Sequence, residues 1–74
     1  MKTNNNKTMQ LNPHQERVVI EQKELAEKLA KLTDFTFTPT FAALPAPEQE
    51  RMNRQHGIME QYASVLGERI AAFE

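Results

Sequence analysis

Apolar positions recur at helical spacing over two stretches of the chain and alternate over a short stretch between them. In the first, "LNPHQERVVIEQKELAEKLAKL", Leu11, Val18, Leu25 and Leu32 fall every seven residues, with Leu29 beside them. That period predicts an amphipathic helix with a coiled-coil-like seam, roughly over residues 13–33. Its start is written in the sequence. Asn12 is a good N-cap, Pro13 suits the first helical position, and Gln15 completes an N-x-x-Q capping box. Gln22 falls on the seam between Val18 and Leu29 and reads as a tolerated polar residue there.

The middle stretch, "TDFTFTPTFAALPAP", alternates Phe with Thr as a strand would. It contains Pro39, and no second strand exists for it to pair with; a lone strand is not a stable element. It is therefore read as a clasp in which Phe35, Phe37, Phe41 and Leu44 fold over the open end of a hairpin. Pro45 and Pro47 punctuate the start of a second helix, expected roughly over residues 47–73. Met52, Met59, Tyr62, Leu66 and Phe73 form one apolar stripe on it. Ile58, Val65 and Ala72 form another at seven-residue intervals, and Ile70 belongs to neither. One partner helix covers one stripe, so the second argues for burial against other subunits. Ala63, Gly67 and Ala71 make a line of small residues four apart, where another backbone or a ligand can approach closely. The predicted fold class is all-α: an antiparallel two-helix hairpin with a Phe-rich clasp over residues 11–74, preceded by a polar, asparagine-rich stretch at 1–10 expected to be disordered or a short arm.

Composition sharpens this picture. A chain of 74 residues without cysteine has neither disulfides nor thiolate metal sites to reinforce a small core. His14 and His56 lie too far apart in sequence for a ligand pair, so no metal or other cofactor is expected. Self-association is left as the source of extra stability. Nine Lys and Arg stand against ten Asp and Glu, a balance that disfavours a DNA or RNA polymer as partner. A small anion needs only a few convergent cations and is compatible with it. No apolar run reaches the ~20 residues of a membrane span, and the polar N-terminus lacks the apolar centre of a secretory signal. A cytoplasmic protein is expected.

No catalytic set is legible. Ser64 is the only serine, there is no phosphate-cradling glycine loop, and the acidic residues scatter over helix faces. Enzymatic activity is not expected. Binding residues are easier to nominate. His14, in the first turn of helix one, is either an exposed helix-start residue or a ring that stacks on a base. Lys28 is either a snorkelling surface lysine near Glu24 or a contact to an anion. Gly67 and Arg69 are the misfits of the second helix. An interior glycine costs ~1 kcal/mol relative to alanine, and an arginine on a seam needs an acceptor. A salt bridge to Glu24 or Glu27 of a neighbouring copy would serve, and so would a bound phosphate.

The order "HQERVVIEQKELAEKLAKL", a phenylalanine-bearing linker, then "ERMNRQHGIMEQYASVLGERIAAF" resembles the small helical-hairpin proteins with which phages counter CBASS and Thoeris immunity by sequestering cyclic nucleotide signals. The resemblance spans roughly residues 11–73. It implies a compact hexamer with ligands held between subunits, acting in the cytoplasm of the infected bacterium. It also implies a cyclic dinucleotide site built from a ring near the start of helix one and a lysine further along. These fall at or beside His14, where such proteins carry tyrosine, and at Lys28. A cyclic trinucleotide site with a G-x-R element falls on Gly67 and Arg69, while the threonine beyond the lysine falls near Ala30. On this reading the chain is a non-catalytic sponge for cyclic di- or trinucleotides, or for cyclic ADP-ribose-type signals. The alternative is a structural or adaptor hairpin that docks a host or phage protein; a small transcriptional regulator is disfavoured by the neutral charge.

Overall fold

The computed structural model describes residues 11–74; the expected N-terminal arm at 1–10 lies outside the described residues. Three helices follow one another: α1 (Pro13–Phe35), α2 (Pro39–Ala42) and α3 (Ala46–Ala71). The two long ones form the hairpin, with α1 packed along α3.

Helix α1 starts where its capping chemistry directs. The Gln15 amide donates to Asn12 Oδ1 at 2.9 Å, and the Asn12 amide donates back to Gln15 Oε1 at 3.2 Å. Two of the amides that a helix start leaves without partners are thereby satisfied. At its other end three threonines stitch the backbone. Thr33, Thr36 and Thr38 hydroxyls donate to the carbonyls of Leu29, Thr33 and Phe35 at 2.8, 2.6 and 2.7 Å. Thr38 then accepts from the Phe41 amide at 3.2 Å and caps α2.

That short helix was not foreseen. The Phe–Thr alternation that imitates a strand is broken by Pro39, which takes the first position of α2 instead. Phe41 is thereby turned inward and buried, edge-on to Phe35 with ring centroids 6.0 Å apart. The expected clasp is real but smaller than predicted. Phe37 is 83% exposed and takes no part in it, because it sits in the turn between α1 and α2. Gln49, at the end of the first turn of α3, donates to the carbonyls of Leu44 and Ala42 at 2.9 and 3.1 Å and ties the clasp to that helix.

The core between the long helices is thin. Val18, Leu25 and Leu66 are buried, and Met59, Ala63, Ile70 and Phe73 pack against them. Ile70, which belonged to neither predicted stripe, therefore joins the core. Tyr62, assigned to the core stripe by its spacing, stands 42% exposed at the edge.

Candidate functional site

Two contacts fix how the helices face each other. His56 Nε2 lies 2.7 Å from Thr33 Oγ1. The Thr33 hydroxyl donates to the Leu29 carbonyl, so His56 Nε2–H is the donor in this bond. Glu60 Oε1 stands 3.7 Å from the other ring nitrogen. One end further along, a Cβ placed on Gly67 would meet Gln22 Nε2 at 3.3 Å. Gly67 is thus the notch into which the polar seam residue Gln22 fits. Neither glycine has positive φ, so the notch is a matter of space and not of backbone conformation.

These pairs, Thr33 with His56 and Gln22 with Gly67, lie along one edge of the hairpin and close it, the first by a hydrogen bond and the second by close packing. The opposite edge follows from helical geometry. Lys28 lies six residues after Gln22 and five before Thr33; Tyr62 lies six after His56 and five before Gly67. Each is therefore turned about 120–140° around its own helix from the closed edge, at 100° per residue. The antiparallel register brings the two to nearly the same height. The open edge accordingly carries Lys28 from α1 and Tyr62 from α3. Ile58, Val65 and Arg69 continue the α3 row at spacings of four, three and seven from Tyr62. Ile58 is 60% and Val65 50% exposed, and Lys28 and Arg69 are exposed as well. Among the described residues, neither cation lies within ion-pair distance of a carboxylate.

Arg69 is therefore not on the seam, as its spacing suggested. It stands in water beside an apolar row and needs no internal acceptor in a single copy. The nominated pairs are not brought together within one chain either. His14 is exposed at the start of α1, and the fourteen residues from it to Lys28 span about 21 Å of helix at 1.5 Å each. Gly67 and Arg69, two apart, point to nearly opposite sides, the first to the closed edge and the second to the open one. The described residues of one copy enclose no pocket and hold no group of three or more residues suited to a metal ion.

A family model described as Sequestin matches residues 12–72, nearly the whole hairpin. The chain belongs to the Sequestin family. No curated protein and no solved structure matches it. The Sequestin match begins at the N-cap of α1 and ends just past α3, so both edges of the hairpin are family territory. The family's name suggests sequestration. No helix among the described residues is long and apolar enough to cross a membrane.

Tyr62 joins this open edge in the folded chain, at 42% exposure. It was assigned to the core because Met52, Met59, Leu66 and Phe73 share its general spacing. The signal available was its four- and three-residue offsets from Ile58 and Val65, which place it equally on the outward row.

Proposed function

We propose that this protein is a non-catalytic sponge that binds cyclic oligonucleotide second messengers of antiviral defence and releases them chemically unchanged. The observation that carries this reading is the open edge. A chain with no excess of positive charge places its two nominated cations, Lys28 and Arg69, on the edge that also bears the exposed Ile58 and Val65. Cations held beside apolar surface suit a ligand with anionic phosphates and flat bases. Membership of a family named for sequestration supports the same direction.

The binding unit is a homo-oligomer, a hexamer as the resemblance to the phage hairpin proteins implies. One copy has no enclosed pocket, and its candidate residues are dispersed over 21 Å and two edges. Copies related by symmetry would converge single residues into clusters, so that one Lys28 or Arg69 per chain becomes several around one ligand. The exposed Ile58 and Val65 offer the apolar area for that packing. The setting is the cytoplasm of a phage-infected bacterium, and the signals opposed are those of CBASS or Thoeris.

The test is equilibrium binding to a panel of cyclic dinucleotides, cyclic trinucleotides and cyclic ADP-ribose isomers, followed by heat release and chromatography of the ligand. Stoichiometric capture and intact release are expected. A ligand recovered cleaved would overturn the non-catalytic reading. Absence of binding across the panel would favour an adaptor that docks a protein partner, for which the exposed Phe37 at the hairpin tip is the natural anchor.

A further inference from the structure

We infer that Tyr62 is the aromatic platform on which a base of the Lys28-bound nucleotide stacks. The inference rests on the proposed function and names a contact within that site.

A phosphate held by Lys28 leaves its base within a few ångströms, so the stacking ring must lie close to the lysine. His14 is about 21 Å away along the same helix and cannot serve the same nucleotide from the same copy. Tyr62 can. The register set by the Thr33–His56 and Gln22–Gly67 contacts puts it opposite Lys28 on the open edge. The offset along the axis is about one residue's rise, ~1.5 Å. Among the apolar side chains of the outward row of α3 it is also the least exposed, at 42% against 60% for Ile58 and 50% for Val65. It therefore lies nearer the seam between the helices than Ile58 and Val65 do. At that edge α1 supplies an ammonium and α3 a phenol ring. A flat base lies on the ring and its phosphate reaches the ammonium, the two complementary demands of a nucleotide.

The experiment exploits composition. The chain has one tyrosine and no tryptophan, so its intrinsic fluorescence reports Tyr62 alone. Titrating the full chain with a cyclic dipurine dinucleotide should quench the tyrosine emission along the same saturation curve that calorimetry gives, after inner-filter correction. Tyr62→Phe should bind within about twofold of the parent, whereas Tyr62→Ala should bind roughly tenfold to a hundredfold more weakly with its oligomeric state preserved. Calorimetric binding with unchanged emission and an unaffected Tyr62→Ala variant would overturn the assignment while leaving the sponge reading intact. Dissociation of the Tyr62→Ala assembly in light scattering would also overturn it, by making Tyr62 a subunit contact. If the parent binds none of the cyclic dinucleotides, trinucleotides or cyclic ADP-ribose isomers, the functional reading itself falls, and this contact with it.

Discussion

The two glycines of α3 have different jobs, although helix propensity charges each the same ~1 kcal/mol relative to alanine. A Cβ on Gly57 would meet nothing within 4 Å. Gly57→Ala should therefore stabilise the fold by up to ~1 kcal/mol, read as a higher denaturation midpoint with an unchanged slope. At Gly67 the same methyl presses on the Gln22 amide at 3.3 Å, the movable end of a side chain, and the propensity gain should largely cancel. Gln22→Ala combined with Gly67→Ala should recover it. At the closed edge, His56→Ala removes a cross-helix hydrogen bond and leaves Thr33 without its donor. A loss of about 1–1.5 kcal/mol is expected. In a double-mutant cycle with Thr33→Val most of that should appear as coupling energy. The Arg51–Glu48 pair at 2.7 Å is another matter. Both side chains are well exposed, and such surface pairs contribute little to stability.

Among the elements, the clasp is the one whose role changes when seen folded. Its Thr hydroxyls hold the end of α1, its Pro39 opens α2, and Gln49 reaches back from α3 to two of its carbonyls. The apolar payload rests on Phe41 against Phe35. Phe41→Ala should cost ~2–4 kcal/mol, near the lower part of the range for buried aromatics because the cluster is small. In a hairpin with so few buried side chains, that is a large share of the stability. Phe37→Ala, by contrast, should leave thermal stability unchanged, since the ring stands in water. The pair of variants, compared in one melting experiment, separates clasp from tip.

For the whole molecule, the informative pair is Lys28 and Arg69. Both stand on the open edge, yet the antiparallel register places Arg69 level with Ile20, about 12 Å along the axis from Lys28. Two binding functions that far apart should fail separately. Arg69→Ala should abolish cyclic trinucleotide binding, because losing a charge-assisted phosphate contact costs ~1.5–3 kcal/mol per site and symmetry repeats the loss around one ligand. Lys28→Ala should weaken cyclic dinucleotide or ADP-ribose-type ligands and leave trinucleotides nearly untouched. Light scattering of each variant is the control. An Arg69→Ala assembly that falls apart would make Arg69 a bridge to a carboxylate of another subunit, and an intact one that loses a single ligand class would make it a binding residue.

The sequence by itself determined the hairpin. The heptad spacing of Leu11, Val18, Leu25 and Leu32, the Asn12–Gln15 box and the prolines at 39, 45 and 47 are local signals, each acting within a turn or two of chain, and the helices obey them. It also determined that α3 carries more apolar surface than α1 can cover, since Ile58 and Val65 lie off the core stripe by arithmetic alone. What only the tertiary structure decided is rotation and register. Spacing assigned Tyr62 and Arg69 to the core and left Ile70 out; packing reversed all three, because a stripe about 100° wide admits residues at its margin from either side. Only the contact partner settles which margin is inside. The pairing of Gln22 with Gly67 and Thr33 with His56 joins residues 45 and 23 apart in the chain, and no local pattern encodes it. Those two contacts close one edge of the hairpin, and by closing it they leave Lys28, Tyr62 and Arg69 together on the other.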